Sequence, residues 1–480
     1  MGAALYRPAA MDGDGPTISR PVPDNAAAVL PVHLALLILA AGPADVVPSS
    51  VRAGDPDRGY EVLRSKPLLP PDFDRETLLR LGLTWPGEMK AKAKAAGEEE
   101  RIAMALARYG LVAPPADDPI GGEVLNYVET PNGWVMNCFA CHGGKVAGRT
   151  IPGLPNSHYG LATLTEEVRT VKLMTGKSLS HQDVGQMKIP LGASHGTTNA
   201  VVFGIVLDAF REPDMSVNTG RDPGPLLHHD MDAPPWWHVK KKSRLYIDGF
   251  SPKNHRVLMQ FMLLPTTGRE TVLSWEDDFR DVLAYIESVE APPYPYEVDA
   301  ALATSGRSVF EKNCAECHGT YSTDSSAETY PEVTVPIEVV GTDRVRLDAL
   351  SVSHRRHLGT TWMSRYGEDP VVEDPGGYVA PPLDGIWATA PYFHNGSVPT
   401  LAGVLSPEER PTRWRRTENG YDRDRVGLEF TAVNEVPELD ARYVFDTRRA
   451  DIGKTNGGHT FAADLSPSEK RALLEYLKTL

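Results

Sequence analysis

The chain has 480 residues and a formal net charge of −15, a balance that argues against a nucleic-acid partner and suits solubility or docking to a basic surface. Hydrophobic and charged fractions of 41% and 24% are those of a soluble globular protein, and no stretch reaches the roughly 20 apolar residues of a membrane span. At about 150 residues per domain the length suggests two or three domains, and 41 prolines with 42 glycines predict that much of the chain is loop.

In chain order, residues 1–50 stand apart. Val32–Ala41 is a short apolar run followed by the small residues Gly42-Pro43-Ala44, preceded by Arg7 and Arg20 but also by Asp12, Asp14 and Asp24. It reads as a signal peptide or anchor, with a buried helix as the alternative. Residues 51–120 form a helical cap. Within it, 72–110 is mostly helical, with Ile102, Met104, Ala105 and Leu106 apolar toward its end, and no chemistry is assigned to it. A first unit spans 121–292. Its stretches 124–128 and 134–136 read as extended, and 274–289 reads as a helix capped by Ser274, with Phe279, Val282, Leu283, Ile286 and Val289 on one face. The proline-rich Ala291–Tyr296 is a stiff linker. A second unit, 297–480, opens with a helix over 301–313. It closes with a helix over 466–480 that repeats the design: Ser466 caps, Pro467 sits at the first position, Glu469 completes a capping box, and Leu473, Leu474, Leu477 and Leu480 form the stripe.

Each unit carries one Cys-x-x-Cys-His: Cys138-Phe-Ala-Cys141-His142 and Cys314-Ala-Glu-Cys317-His318, which together use every cysteine. That spacing reads as covalent attachment of c-type haem, with two thiols on the porphyrin and the adjacent histidine on iron. Shared zinc would need the two pairs brought together and gives no reason for either histidine. A redox dithiol would need a thioredoxin-like pattern, which is missing, and two disulfides are the remaining alternative. Two haem c groups are therefore the expected cofactors. Phe310, four residues before Cys314, is placed to pack on a haem edge. Because such attachment occurs outside the cytoplasm, the protein is expected to be exported, periplasmic or otherwise extracytoplasmic.

The sixth position of each iron separates electron transfer from catalysis. Met363 is the one methionine after the second motif, so histidine is the other choice: His354, His357, His394 and His459 all follow His318. His394 lies in an aromatic, turn-rich stretch, and His459 follows two glycines that let backbone approach closely.

The segment Ala380-Pro-Pro-Leu-Asp-Gly-Ile-Trp-Ala-Thr-Ala-Pro-Tyr-Phe-His-Asn-Gly-Ser-Val-Pro-Thr-Leu401 resembles the signature of di-haem bacterial cytochrome c peroxidases, and more closely their rubber-oxygenase-like branch. Further likeness lies in Thr197–Gly204, in Asp232-Ala-Pro-Pro-Trp-Trp237, and in Phe445-Asp-Thr447 with Asn456-Gly-Gly-His459. The resemblance runs from about residue 60 to the C-terminus. It implies a mainly α fold, with two cytochrome-c-like haem domains in tandem, long loops and an N-terminal helical extension. His142 and His318 would be the proximal ligands, His459 the distal ligand of a bis-histidine relay haem, and His394 a neighbour of that haem. The first haem would be the reactive one, its distal face lined by Trp236, Trp237 and Phe250.

The peroxidase branch offers His158, or His195, as a distal histidine there. The chain lacks that branch's tryptophan between His142 and Trp236 and its late methionine ligand. His158, His195 and His255 keep acid/base chemistry open, whereas the aromatics favour a dry pocket. Expected partners are peroxide or dioxygen and an electron donor such as a small cytochrome, and some relatives hold a calcium ion between the domains. The competing reading is a non-catalytic di-haem electron carrier with both irons six-coordinate.

Overall fold

Proline and glycine break the chain into short helices and, apart from β11 and β12 near the C-terminus, strands of two to four residues, so that most of the framework is set by how a few longer helices cross. The structure, a computed structural model, describes residues 52–480 apart from residue 323. The apolar run of residues 32–44 lies outside the described residues.

Helix α1 (Pro56–Ser65) starts at proline, with the Asp55 carboxylate accepting from the amides of Asp57 and Arg58. The expected helical stretch follows as α2 (Arg75–Arg80), α3 (Gly87–Ala95) and α4 (Glu98–Tyr109), the last with three glutamates in its first turn and Gly110 left-handed at its end. The expected extended segments pair as the hairpin β1 (Tyr127–Thr130) and β2 (Gly133–Met136), Tyr127 opposite Met136. The single-turn helix α5 (Phe139–His142) and the hairpin β3 (Gly143–Val146) and β4 (Arg149–Pro152) come next. Then follow α6 (Leu161–Thr175), α7 (His181–Lys188), the two-residue strand β5 (Thr197–Thr198) and α8 (Ala200–Ala209). β6 (Met231–Asp232) pairs with β5, and β7 (Arg244–Leu245) with β8 (Ser251–Pro252). α9 (Arg269–Ser274) and α10 (Glu276–Ser288) end this half.

The second half opens with α11 (Ala300–Asn313), capped by Asp299, and α12 (Ala315–His318). β9 (Thr334–Pro336), α13 (Ile337–Val340), α14 (Val345–Ala349) and α15 (Val352–Thr360) follow, with β10 (Gly377–Val379) returning to pair with β9. After α16 (Leu401–Leu405), β11 (Arg413–Asp422) sits between β12 (Gly427–Ala432) and β13 (Val444–Asp446) in an antiparallel three-stranded sheet. α17 (Pro467–Leu477) closes the chain with the expected capping box between Ser466 and Glu469. The fold is mainly helical with little sheet.

Three expectations change. Ser274 does not cap a helix: its hydroxyl donates to the Thr271 carbonyl inside α9, the chain bends at Trp275, and α10 begins with the acidic residues 276–278 in its first turn. Ala291–Tyr296 is docked rather than a free spacer, since the Pro292 carbonyl accepts from the Trp387 indole (2.9 Å) and Tyr294 packs edge-on against Trp387. And α1 does not belong with the helical cap. It crosses α10 so closely that a Cβ on Gly59 would overlap the Asp281 carbonyl, and α11 crosses α17 in the same way, Gly306 against the Ala472 carbonyl. The internal repeat is thus a pair of glycine-notched helix crossings, one in each half.

Residues 53–480 hold together as one compact unit. Replacing Gly306 with alanine forces the α11–α17 crossing apart and is expected to lower unfolding free energy by about 1–3 kcal/mol in denaturant titration, the usual effect of overpacking.

Candidate haem centre

The first motif is knitted into place by buried asparagines. Asn126 donates to the carbonyls of Phe139 (2.7 Å) and Gly143 (3.2 Å), Asn137 accepts from the Phe139 amide, and Asn156 donates to Ala140 (3.1 Å). The second motif needs no such lattice, because α11 runs straight into it and the Cys314 amide still bonds the Phe310 carbonyl. All four cysteines are unpaired and half-buried. Burial pushes the thiols of Cys138 and Cys314 up to about 11 and that of Cys141 to about 12. That is opposite to the electropositive setting that activates a redox dithiol. Among the described residues no three His, Cys, Asp or Glu side chains converge as metal ligands.

The two motif histidines are held identically. His142 Nδ1 lies 3.0 Å from the Pro234 carbonyl and His318 Nδ1 2.8 Å from the Pro381 carbonyl. With Nδ1–H donating, Nε2 carries the lone pair that an iron requires. Burial keeps both rings neutral, lowering His142 to about 4 and His318 in the same direction. Both acceptors are the first proline of an Ala-Pro-Pro tripeptide, 233–235 and 380–382. The second proline confines the first to extended backbone and so fixes where its carbonyl points. The repeated Ala-Pro-Pro tripeptide is the sequence signal for these acceptors.

One cavity of about 1120 Å³ holds both motifs in its lining, with Cys138, Cys141 and His142 as well as Cys314, Cys317 and His318. It exceeds the ~300–1,000 Å³ of ordinary small-molecule pockets. Its walls are largely apolar, including Phe310, as expected, Leu473 and Leu477 beside the second motif. These residues fit haem c.

Beside the second motif, His459 faces His318 with ring centres 6.3 Å apart. Two imidazole nitrogens on opposite sides of one metal, each about 2 Å from it, put ring centres on the order of 6 Å apart. His459 reaches this place with φ +47°, after Gly458, whose Cβ position is filled by the Gly341 backbone. Its amide donates to the Val340 carbonyl (2.6 Å), and Arg410 donates to the carbonyls of Asn456 and Gly458 (both 2.8 Å). Burial, with His318 nearby, lowers His459 to about 4, so the ring is neutral as a ligand must be. His394 lines the same cavity with its ring 4.5 Å from that of Tyr378 and its buried Nε2 unpartnered.

The first motif's surroundings differ from expectation. Trp236 does not line a distal face; it stacks on the proximal ring of His142, centroids 5.1 Å apart at 27°. It follows directly on the Pro234-Pro235 pair that holds His142, so its ring falls beside that histidine. Trp237 is fully buried outside the cavity lining, its indole donating to the Asp384 carbonyl (2.7 Å). Phe250 stacks on Tyr246 and faces a different, smaller cavity.

The histidine candidates also point elsewhere. His158 is buried with Nδ1 3.3 Å from Ser157 Oγ and Arg416 near, and burial lowers it to about 3. His195 is packed on Tyr443 with Nε2 on Thr163 (3.0 Å), and His255 pairs with Glu276 (3.3 Å). None of the three lines the haem cavity. What does line it are Phe203, Val206 and Leu207 of α8 with Phe210 just after it, Phe261 and Met262, and two histidines the sequence did not single out, His238 beside the two tryptophans and His181 on α7. His181 has its Nδ1 buried and unpartnered and its Nε2 3.8 Å from Asp72 Oδ1. Its only sequence signal was the preceding Ser180 cap, which starts the helix that carries it.

Two Cys-x-x-Cys-His motifs, their carbonyl-held histidines and a large apolar cavity define a c-type cytochrome. In agreement, residues 377–415 match a RoxA-like, cytochrome c-like domain, a span that contains Pro381, Asp384 and His394. The chain is also similar to two uncharacterized proteins of Sinorhizobium fredii: 43% identical to y4iJ over 119 residues, and 29% identical to y4iM over 208 residues. These alignments take in 23% and 37% of this chain, and the chain spans 19% and 45% of the length of these relatives. Haem c is therefore the cofactor this protein is built to carry. Replacing Cys314 and Cys317 together with alanine is expected to remove one covalent haem and leave another on Cys138 and Cys141, read by haem-stained gel and intact mass.

Proposed function

We propose that the protein is a di-haem c-type oxidoreductase, with tandem cytochrome-like units, in which the haem on Cys138 and Cys141 reacts with peroxide or dioxygen and the haem on Cys314 and Cys317 relays electrons. The observation that carries this reading is the asymmetry of the two motifs: His318 is faced by a second histidine at 6.3 Å, whereas the ring stacked on His142 is that of Trp236, and α8 adds apolar side chains to the shared cavity lining.

When bound, haem supplies one-electron redox chemistry and, where a coordination position is open, a place for a small oxidant. The chain does the rest. His142 and His318 are each oriented by a proline carbonyl, and Trp236 stacks on the former so that it cannot swing. The α8 side chains exclude water from the first compartment, which strengthens every charge interaction inside it. The turn Trp236–Lys241 links the compartments: Trp236 touches His142, while Trp237 Nε1 and His238 Nε2 both lie on the Asp384 carbonyl (2.7 and 2.9 Å), three residues after the carbonyl that holds His318. The net charge of −15 favours a basic electron donor such as a small cytochrome. Covalent haem attachment favours an exported protein, and no helix among the described residues is long and apolar enough to cross a membrane.

A second reading, a non-catalytic electron carrier, is favoured by His181, whose unpartnered Nδ1 lies in the cavity lining and could occupy the first haem's remaining position. Paramagnetic resonance and carbon monoxide titration of the holoprotein separate the two. The enzyme reading expects one high-spin or ligand-accessible haem, unchanged by His181→Ala, and one low-spin haem that becomes high-spin in His459→Ala. Two low-spin haems with no carbon monoxide binding would sink it.

A further inference from the structure

Helix α8 is a partition. Phe203, Val206, Leu207 and Phe210 face the haem cavity, while Gly204, Ile205, Asp208 and Ala209 face a second cavity of about 320 Å³. These sets recur at three-residue and four-residue spacing on opposite sides of the helix. Among the described residues, Val201 and Tyr246 alone line both spaces.

The smaller space is polar where the larger is not. Two buried atoms in its lining residues, Asp208 Oδ1 and Gln260 Nε2, have no protein partner. Leaving such atoms bare is costly, and a polar cavity ten times the volume of one water fills with water instead. The groups facing Asp208 are His354 and His357 of α15, Arg221 and Asp222 of the adjoining loop, and Tyr246, with Asp248 and Arg346 beyond it. His357 Nε2 lies 3.1 Å from the Asp208 carbonyl and 3.9 Å from its carboxylate, and its ring is bonded by Arg221. Arg221 is itself committed to Glu212 (2.8 Å). Burial therefore prevails over the arginine and raises the Asp208 carboxyl to about 7. The Tyr246 phenol, buried and close to carboxylates, keeps its proton.

We propose that this chamber is the water-filled proton antechamber of the first haem compartment, with Asp208 loading protons from solvent and Tyr246 passing them across the α8 partition. The inference rests on the proposed reactivity of the first haem. Reduction of hydrogen peroxide to two waters consumes two protons with two electrons from the donor, and the apolar α8 face offers no proton of its own. The relay step is neutral in electrons: one proton leaves the Asp208 carboxyl toward the haem cavity and one from solvent replaces it.

The test uses the reduced holoprotein, its Asp208→Asn and Tyr246→Phe variants, and two readouts. Stopped-flow mixing with hydrogen peroxide should give a wild-type rate that falls as pH rises through about 7. Both variants should be slower by on the order of 10²-fold, and Asp208→Asn should lose that pH dependence. Variants as fast as wild type, with the same profile, overturn the proposal while leaving the reactive haem intact. If the wild type does not react with peroxide, the functional reading fails and reduced-minus-oxidised infrared spectra decide the inference. A protonated-carboxyl band that is lost in Asp208→Asn and shifted in Tyr246→Phe supports the relay, and absence of that band in the wild type overturns it.

Discussion

The structure depends on the hold that a backbone carbonyl exerts on each motif histidine. A ligand histidine needs its second nitrogen engaged, or the ring rotates and the basic nitrogen loses its direction. Here the acceptor comes in both halves from a proline that precedes another proline, so neither φ of the acceptor pair is free. No side chain is needed, and no protonation change can switch the acceptor off. The residues after each pair are then committed as well. Trp236 stacks on His142, and Asp384, three residues after Pro381, takes the indole N–H of Trp237 on its carbonyl.

That commitment also explains why residues 53–480 form one unit although each half carries its own helix crossing. The halves are cross-linked by polar groups at the cavity edge. The Asp232 amide donates to the His394 carbonyl and the Asp230 amide to the Ile452 carbonyl. Asp248, fully buried in the first half, is shared by Arg346 and Arg355 of the second (3.3 and 3.0 Å). Removing one member of such a set would leave an uncompensated buried charge, so these contacts act as a lock on relative position more than as a source of stability. A cavity shared by two motifs needs that lock, because relative slippage of the halves would shift one proximal histidine against the other.

The sequence spoke clearly where a residue's role is covalent or local. The helices entering and closing the second half, the capping box at Ser466 and the glycine approach to His459 are all decided within a few residues, and each is found as expected. It spoke poorly where a role depends on which face of a short element meets a distant one. Trp236, Trp237 and Phe250 read alike as aromatics near a haem, yet they differ in whether they stack on a proximal ring, pack in the core or face another cavity. His158 and His195 have the right spacing from His142, but spacing along a loop does not set direction, and both turn toward the sheet around β11 and β13. Helix α8 carries no local signal of two faces. Its near-continuous apolar sequence hides Asp208, the one charged residue within it, on the face away from the haem cavity.

His459 and the α8 wall represent two ways of preparing a metal site. A non-glycine residue in the left-handed region costs roughly 1–2 kcal/mol. At His459 that cost is offset by charge-assisted bonds from Arg410 and by the amides of Asn395, which hold the carbonyls of Gly453 and Thr455 (2.8 and 2.9 Å). The strained residue is over-determined by its neighbours, so its ring is already facing His318 before any cofactor arrives. Along α8 the wall is made of apolar side chains, and polar groups such as Asp208 lie behind the helix. The difference between these two parts of the lining follows from one glycine-flanked histidine and the two faces of one helix.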